Sequence, residues 1–361
     1  MIFSRGATSN PVKEGKMKAL AFAVFLVFCL STAAIGAEYV GSTSCFKCHP
    51  EEFNNWKTSG HPYKLRTASD AKYAPLPLPK GYAWDDITYV IGGFRWKARY
   101  IDKTGYIITT DKEGKAMPTQ WNLATGRWVD YNPGKKTAYK CGPCHMTAYS
   151  SEGHQDGLEG IVGTWAAPGI HCEECHGPGS EHAMAGDKTK IKLDRSSALC
   201  GKCHIRGEKA KIPAKDGFIE HHEQYNEYTA SPHSGKIDCV TCHDPHKPAR
   251  FGVKVACGSC HGKQASAFEG SLMQMAGVRC VDCHMPKAGK SAEAKGKFMA
   301  DVRTHNWKIS LDPKAMMFAE EGKVATGILT LDFVCLQCHG GRDMKWAAMK
   351  VKKDIHSYKK K

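Results

Sequence analysis

Residues 172–176 read Cys-Glu-Glu-Cys-His, and the pattern Cys-x-x-Cys-His occurs eight times in this chain of 361 residues. Two thiols three positions apart on one turn can add to the two vinyl groups at one edge of a porphyrin. The next residue then places an imidazole beneath the iron. The motif cysteines are Cys45, Cys48, Cys141, Cys144, Cys172, Cys175, Cys200, Cys203, Cys239, Cys242, Cys257, Cys260, Cys280, Cys283, Cys335 and Cys338, and the motif histidines are His49, His145, His176, His204, His243, His261, His284 and His339.

Two other uses of paired cysteines explain this pattern less well. Structural disulfides and zinc sites both use closely spaced cysteines, but neither needs a histidine directly after every second cysteine. Cys29 is the single cysteine outside the eight copies. The sequence therefore predicts eight covalently attached c-type haems, each with its iron bound by a motif histidine.

The number of haems restricts how they can be packed. Eight haems leave about 40 residues of mature chain for each, which is too little to bury a porphyrin in a domain of its own. We therefore expect closely packed haems that share walls, an arrangement that conducts electrons.

The N-terminal residues have the pattern of an export signal. Lys18 is followed by an apolar run from Ala19 to Leu30 and by small residues that end at Ala37. We interpret 1–37 as a signal peptide with its start at Met17, which leaves no transmembrane segment in the mature chain. We further divide the chain into 38–140 with the first haem, 141–290 as a dense core with six haems, and 291–361 with the last haem and a terminal helix.

Short helices joined by glycine and proline turns are predicted for most of the chain. Pro50, Glu51 and Glu52 start one helix, and the last helix is expected at about 342–356. Alternation from Phe94 to Tyr100, followed by a turn at 102–105 and Tyr106, predicts a β-hairpin. Its apolar face is expected to lie on a haem or on Trp121 and Trp128, and its basic face in solvent. The predicted fold class is mainly α, with extensive irregular loops and a small β-hairpin, organised around stacked haems.

Ten histidines lie outside the motifs, and eight irons each have a second axial face. We expect bis-histidine ligation throughout. His246 lies three residues after His243 and should serve a neighbouring haem, as should His182. His221 and His222 are adjacent, and His171 is the expected surplus residue. The candidate distal ligands are His61, His154, His182, His222, His233, His246, His305 and His356.

Several strings resemble the multihaem cytochromes related to cytochrome c-554. They are Gly41–Cys45 with Trp56, Ser59 and His61, the run 169–182, His221–Tyr225, Ser231–His233, Cys239–His246, and Cys280–Lys287 with Val302–His305. The resemblance implies a mostly helical protein built around stacked haem pairs. It also implies distal ligation by His61, His182, His233, His246 and His305, with weaker matches at His154 and His356. The related nitrite reductases mark their catalytic haem with lysine in place of the motif histidine, and no such motif occurs here.

Charge restricts the partners. The formal charge is +15, and removal of 1–37, with four basic residues and one acidic residue, leaves +12. Two propionates on each haem offset most of this charge, so the basic balance does not indicate a nucleic-acid partner.

We expect an exported octahaem c-type cytochrome that carries electrons between redox proteins in the periplasm or cell envelope. Its partners would be an electron donor and an acceptor, such as a quinol-oxidising membrane complex and outer-membrane or extracellular cytochromes. The alternative is a multihaem oxidoreductase that reduces nitrite, hydroxylamine or tetrathionate at one open haem.

Overall fold

A computed structural model describes residue 1, residues 37–351 and residue 356. Residues 2–36, which hold most of the predicted signal peptide, lie outside the described residues. The described residues of Tyr39–Lys361 belong to one compact unit. Within the described residues, no helix combines the length and the apolar composition that crossing a membrane requires.

The helices are short, and they make up 31% of the structure. The α-helices span Ser42–Phe46, Pro50–Lys57, Ala68–Ala71, Gly142–His145, Cys172–His176, Ser180–Ala185, Ser197–Gly201, Gln224–Ala230, Cys239–Cys242, Gly262–Phe268, Leu272–Met275, Cys280–His284 and Met344–Val351. One π-helical segment spans Asp332–Leu336, and 3-10 turns span Pro62–Lys64, Trp84–Asp86, Gln155–Gly157, Lys188–Lys190, Cys257–Ser259 and Glu320–Gly322.

The helix predicted at Pro50 is present. It starts at this proline and ends at Lys57, shortly before Gly60. Proline suits the first helical position because the N–H that it lacks would have no partner there. The described part of the predicted terminal helix is Met344–Val351, and residues 352–355 lie outside the described residues.

Fourteen short strands form three sheets among the described residues. The strands are β1 Leu65–Thr67, β2 Ile87–Gly92, β3 Lys97–Asp102, β4 Tyr106–Ile107, β5 Gln120–Asn122, β6 Arg127–Val129, β7 Thr137–Ala138, β8 Met146–Thr147, β9 Ala167–Pro168, β10 Ile212–Lys215, β11 Phe218–Glu220, β12 Gly289–Lys290, β13 Phe318–Ala319 and β14 Val324–Ala325. The first sheet has the order β1-β2-β3-β4-β7, with β5 paired to β3 and β6. The second has the order β12-β11-β10-β14-β13, and β8 pairs with β9.

The predicted hairpin is therefore the centre of a larger sheet. β3 and β4 pair antiparallel with Ile101 opposite Ile107, as expected, but β3 also pairs with β2 and β5. The prediction of one small hairpin is wrong in the number of strands, because the hairpin is part of a seven-stranded sheet. Most of the additional strands have two to four residues, too few for an alternating pattern to be recognised in the sequence.

Both faces of the first sheet are buried. Tyr89 and Ile101 belong to one apolar cluster, whereas Val90 and Tyr100 belong to another on the opposite side. The centre of the Tyr100 ring lies 6.3 Å from that of Trp128. This confirms the second of the two predicted alternatives, that the apolar face of the hairpin lies on Trp121 and Trp128.

The prediction of a solvated basic face on the hairpin is wrong for Arg99. Its guanidinium lies 3.7 Å from the centre of the Tyr131 ring, and its Nε donates to Gln120. The second sheet has its own core, in which Phe333 contacts Phe218, Phe298 and Phe318.

Candidate functional site

Each Cys-x-x-Cys-His motif is built on a helical turn, and we number the motifs 1 to 8 in chain order. Motifs 3 and 7 are the helices Cys172–His176 and Cys280–His284, and motif 2 lies in the helix Gly142–His145 with Cys141 directly before it. In the other five motifs, the histidine N–H donates to the carbonyl oxygen of the first cysteine at 2.9–3.0 Å. One turn therefore brings two thiols and an imidazole together, as a thioether-bound haem requires.

Six motif histidines face a second histidine from another part of the chain. The ring centres lie 6.0–6.2 Å apart in the pairs His49–His182, His176–His246, His204–His222, His261–His233, His243–His305 and His284–His356.

This spacing fits an iron ion between the two rings. With metal–nitrogen bonds of about 2.0 Å and ring centres about 1.1 Å behind the nitrogens, two imidazoles on one metal ion have centres about 6.2 Å apart. The pairs therefore have the separation of bis-histidine ligation, and each includes the histidine that directly follows two motif thiols. The residues present fit haem c at these six positions.

Hydrogen bonds on the rear nitrogen orient several of these rings. Nδ1 lies 2.8 Å from the carbonyl oxygen of Lys192 in His176, 2.9 Å from that of Asp187 in His182, and 3.2 Å from that of Trp307 in His284. A histidine that donates from Nδ1 leaves Nε2 as an electron-pair donor for a metal ion. The hydrogen bonds therefore direct Nε2 toward the space between the rings.

Two distal candidates pair across motifs, as predicted from their sequence positions. His246 lies next to His176 and not next to its neighbour His243, and His182 lies next to His49 and not next to His176. The reason is geometric, because three to six residues are too few to pass around a porphyrin to its opposite face. Each of these histidines therefore joins two motifs.

The structure distinguishes His222 from His221. The His222 ring is 6.1 Å from that of His204, whereas Nε2 of His221 is 3.0 Å from the Arg206 guanidinium. His222 has φ of 74°, a left-handed conformation that is uncommon for residues other than glycine. Such conformations persist where the surrounding structure determines the direction of a side chain.

His356 is placed next to His284 of motif 7, with ring centres 6.1 Å apart and planes 7° apart. His356 does not pair with His339 of motif 8, although motif 8 directly precedes the terminal helix in the sequence. A helix of this length moves its end away from the motif at about 1.5 Å per residue. The end of the chain therefore joins motifs 7 and 8.

Two sequence-based candidates do not take part in such a pair among the described residues. His154 is exposed, and its Nδ1 lies 2.5 Å from the carbonyl oxygen of Ile161. His61 is near His204 and Lys64, and burial together with these charges lowers its pKa to about 4. His171 has both ring nitrogens engaged, by Ser42 Oγ at 2.9 Å and by Pro168 O at 3.0 Å. His171 therefore has no ring nitrogen left for a metal ion, as expected for a histidine that is not an axial ligand.

His145 and His339 have no histidine ring opposite them among the described residues. The ring next to His339 is that of Trp346, with centres 4.9 Å apart. In this part of the chain, the motif histidine therefore faces a second histidine ring at six motifs, and at motifs 2 and 8 it does not.

Positive charge collects around His145 of motif 2. Burial, Lys64, Arg99 and Arg206 together lower the pKa of His145 to about 3. The buried hydroxyl of Tyr139 has no hydrogen-bond partner among the described residues, and its ring centre lies 6.4 Å from that of His145. Sequence analysis missed this group because isolated basic residues carry no distinctive signal in a basic chain. Such a set of cations and a hydroxyl can bind a small anion and donate a proton to it.

The motif cysteines form one connected set. Neighbouring thiols, one of which shifts the pKa of the other, join motif 1 to 3, motif 2 to 4, motif 4 to 5 and motif 6 to 7, through the pairs Cys45–Cys172, Cys144–Cys203, Cys200–Cys239 and Cys257–Cys280. Weaker electrostatic contacts join motif 3 to 4, motif 5 to 6 and motif 7 to 8, through Cys175–Cys200, Cys242–Cys260 and Cys283–Cys335. Every motif therefore has at least one neighbour, and motif 4 has three.

Two protein-family models match parts of the chain. A model of cytochrome c3 matches residues 164–262, and a model of cytochrome c554 and c-prime matches residues 111–177. Motif 2 lies in the second range, motifs 4 to 6 lie in the first, and motif 3 lies in both.

Two curated relatives are multihaem or redox proteins. The chain is 25% identical over 193 residues to the multiheme cytochrome MtrA of Shewanella baltica, covering 48% of this chain and 54% of that protein. It is 20% identical over 411 aligned positions to the dissimilatory sulfite reductase MccA of Wolinella succinogenes, covering 78% of this chain and 56% of that protein. The chain thus spans about half the length of the curated relatives it matches.

Two solved structures share the fold. The outer cell wall cytochrome OcwA is 20% identical with a TM-score of 0.58, over 87% of this chain and 86% of that chain. The octaheme sulfite reductase MccA of W. succinogenes is 17% identical with a TM-score of 0.62, over 84% of this chain and 66% of that chain. The eight motifs and the two family models show that the chain is a multihaem c-type cytochrome, and its fold is similar to the folds of OcwA and MccA.

Proposed function

We propose that this protein is an exported octahaem electron carrier. Its eight haems c would be attached through the sixteen motif cysteines and bound on one face by the eight motif histidines. On the other face, six would be bound by His182, His222, His233, His246, His305 and His356. The observation that carries the proposal is the spacing of 6.0–6.2 Å in six independent histidine pairs. Iron with two imidazole ligands has no free site for a substrate, which favours electron transfer.

The contacts between motif cysteines support a continuous path for electrons. They give a line of motifs 1-3-4-5-6-7-8, with motif 2 as a branch at motif 4. Haem c cycles between ferric and ferrous iron, and neighbouring attachment sites keep successive haems close. Cys48, Cys257, Cys260 and Cys338 are exposed, so motifs 1, 6 and 8 reach the surface. We propose these motifs as the places where electrons enter and leave.

The proposed location is the periplasm or another part of the cell envelope. The export signal at 1–37 and the covalent haems both agree with this location. OcwA is named as an outer cell wall cytochrome, which supports an outer-surface location as well. The proposed partners are a donor and an acceptor of the same redox class, including membrane complexes that oxidise quinol and outer cytochromes. We retain 38–140, 141–290 and 291–361 as regions of the chain defined by their motifs.

Haem counting and spin counting test the carrier proposal. The intact mass of the mature protein should include eight haems, and spectroscopy should show six low-spin bis-histidine centres. His182→Ala should convert one low-spin centre to high spin, whereas His154→Ala, the matched control, should convert none. Fewer than eight haems in fully matured protein, or an unchanged low-spin count in the His182 variant, would contradict the proposal.

A second candidate function is reduction of a small anion at motif 2. The observation that favours it is the set of cations around His145, which has no histidine ring opposite it among the described residues. Reduction of nitrite, hydroxylamine, tetrathionate or sulfite consumes protons as well as electrons. Tyr139, whose ring centre lies 6.4 Å from that of His145, is the proposed proton donor.

Reoxidation kinetics test this second function. The reduced protein is mixed with each of the four compounds, and the ferrous spectrum is followed. Turnover at about 1 to 1,000 per second is the ordinary enzymatic range. Arg206→Gln should then slow the reaction at least tenfold, whereas exposed Lys72→Gln should not. Slow reoxidation by all four compounds would leave the carrier as the sole proposed function.

A further inference from the structure

One axial histidine differs from the others in the charge of its rear partner. Nδ1 of His176, His182 and His284 faces a backbone carbonyl, and Nδ1 of His204 lies 3.2 Å from the amide oxygen of Gln224. These partners are neutral. Nδ1 of His246 instead lies 3.2 Å from Oδ1 of Asp244.

The backbone fixes Asp244 in this position. Its Oδ1 also accepts the backbone N–H of His246 at 3.1 Å, and its own N–H donates to Gly252 O at 2.7 Å. Lys247 Nζ lies 3.6 Å from Oδ2 and partly offsets the charge. The carboxylate is therefore held behind the ring, on the side away from His176.

A second carboxylate close to Nδ1 of an axial histidine, that of Glu227, is arranged differently. Glu227 Oε2 accepts the backbone N–H of His305 at 2.8 Å and lies 3.7 Å from His305 Nδ1. A separation of 3.7 Å exceeds hydrogen-bond length. Among the axial histidines whose Nδ1 partner is described, His246 is thus the one that donates to a carboxylate.

We propose that Asp244 is a positioning residue that gives the haem of motif 3 the lowest reduction potential of the six bis-histidine haems. A carboxylate behind a metal-bound histidine makes the ligand more basic, and a more basic ligand stabilises ferric over ferrous iron. The step concerned is the gain of one electron by ferric iron. No bond forms or breaks and no proton moves, so a fixed negative charge opposes the step directly.

The position of motif 3 gives this potential a function. Cys172 neighbours Cys45 of motif 1, and Cys175 lies near Cys200 of motif 4. Electrons that pass between motif 1 and the rest of the array must cross motif 3. Asp244 therefore places an uphill step, the haem of motif 3, between the N-terminal haem and the other six. This inference rests on the proposed electron-transfer function and on His246 as an axial ligand.

The test is a redox titration followed by electron paramagnetic resonance on the mature holoprotein with Asp244→Asn. The ring planes are 1° apart in His176–His246 and 7° apart in His284–His356, against 27–72° in the other four pairs. Near-parallel imidazoles give rhombic low-spin signals, so two haems should share this signature. Asparagine keeps an oxygen acceptor but removes the charge. The reduction equilibrium constant of one rhombic component should rise about tenfold, which is 59 mV for one electron.

Two further variants complete the test. Asp187→Asn makes the same change in charge beside His182, but its carboxylate contacts Thr189 and not the ring, so it should leave both rhombic components in place. Lys247→Gln removes the offsetting cation and should lower the equilibrium constant of the same component about threefold. The proposal is overturned if Asp244→Asn shifts neither component or shifts both equally. If Asp244→Asn fails to mature with eight haems, an unchanged Lys247→Gln protein overturns it. Loss of a low-spin signal in Asp244→Asn would instead show a failure of His246 ligation.

Discussion

The carboxylate of Glu173 should be one of the largest single contributors to stability near motifs 1 and 3. The side chain is 4% exposed. Its Oε1 accepts the N–H of Val40 at 2.9 Å and that of Gly179 at 2.8 Å, and its Oε2 accepts the N–H of Gly41 at 2.8 Å. Gly41 directly precedes the helix that carries Cys45, so this side chain fixes the segment before motif 1 to the helix of motif 3.

Two substitutions separate the charge from the shape. A hydrogen bond to a charged group contributes about 1.5–3 kcal/mol, and a buried donor left without a partner costs a similar amount. Glu173→Ala removes three acceptor contacts and should lower the free energy of unfolding by roughly 5 kcal/mol. Glu173→Gln keeps one oxygen acceptor but places an NH₂ group against at least one backbone N–H. Glu173→Gln should lower the free energy of unfolding by about 2 kcal/mol.

Urea unfolding of the mature holoprotein, followed by circular dichroism, measures both losses. Glu52→Gln is the matched control, because Glu52 is exposed in the first turn of its helix. It should cost less than about 1 kcal/mol. Equal losses for Glu173→Ala and Glu173→Gln, or a loss in either variant no greater than in the control, would refute the reasoning from these three contacts.

Two further predictions concern pH and charge. Burial raises the pKa of Glu223, which is 1% exposed, to about 8 from an ordinary 4.5. The unfolded chain then ionises first as pH rises, so the free energy of unfolding should fall by about 1.4 kcal/mol per pH unit between those values. In Glu223→Gln, the urea midpoints at pH 5 and pH 8 should lie closer together than in the unaltered protein. If the free energy of unfolding depends on pH as steeply in this variant as in the unaltered protein, the raised pKa of Glu223 is not the cause. Full reduction of eight haems should change the net charge from about +4 to about −4. The oxidised protein should therefore elute from a cation exchanger at higher salt than the reduced protein, and identical elution would exclude a dominant role for net charge.

The covalent chemistry could be predicted from the sequence because it is local. Cys172, Cys175 and His176 lie on one helical turn, so their spacing in the sequence already determines that two thiols and an imidazole meet. The hairpin at Ile101 and Ile107 was equally accessible, since a four-residue turn joins its strands. A histidine close after a motif cannot reach around the haem of that motif, which also follows from the sequence alone, and His246 lies beside His176.

The tertiary structure decided which second histidine faces the motif histidine in each of the six pairs. His305 lies beside His243, and His233 lies beside His261, because loops and short strands far apart in the sequence pack together. The same packing separates His154 from the motifs and places Lys64, Arg99 and Arg206 around His145. The sequence determined the proposed haem attachment sites and proximal ligands, because those residues lie within one turn of each other. The distal ligands and the charged surroundings depended on the tertiary structure, because their distances are set by long-range packing and not by spacing along the chain.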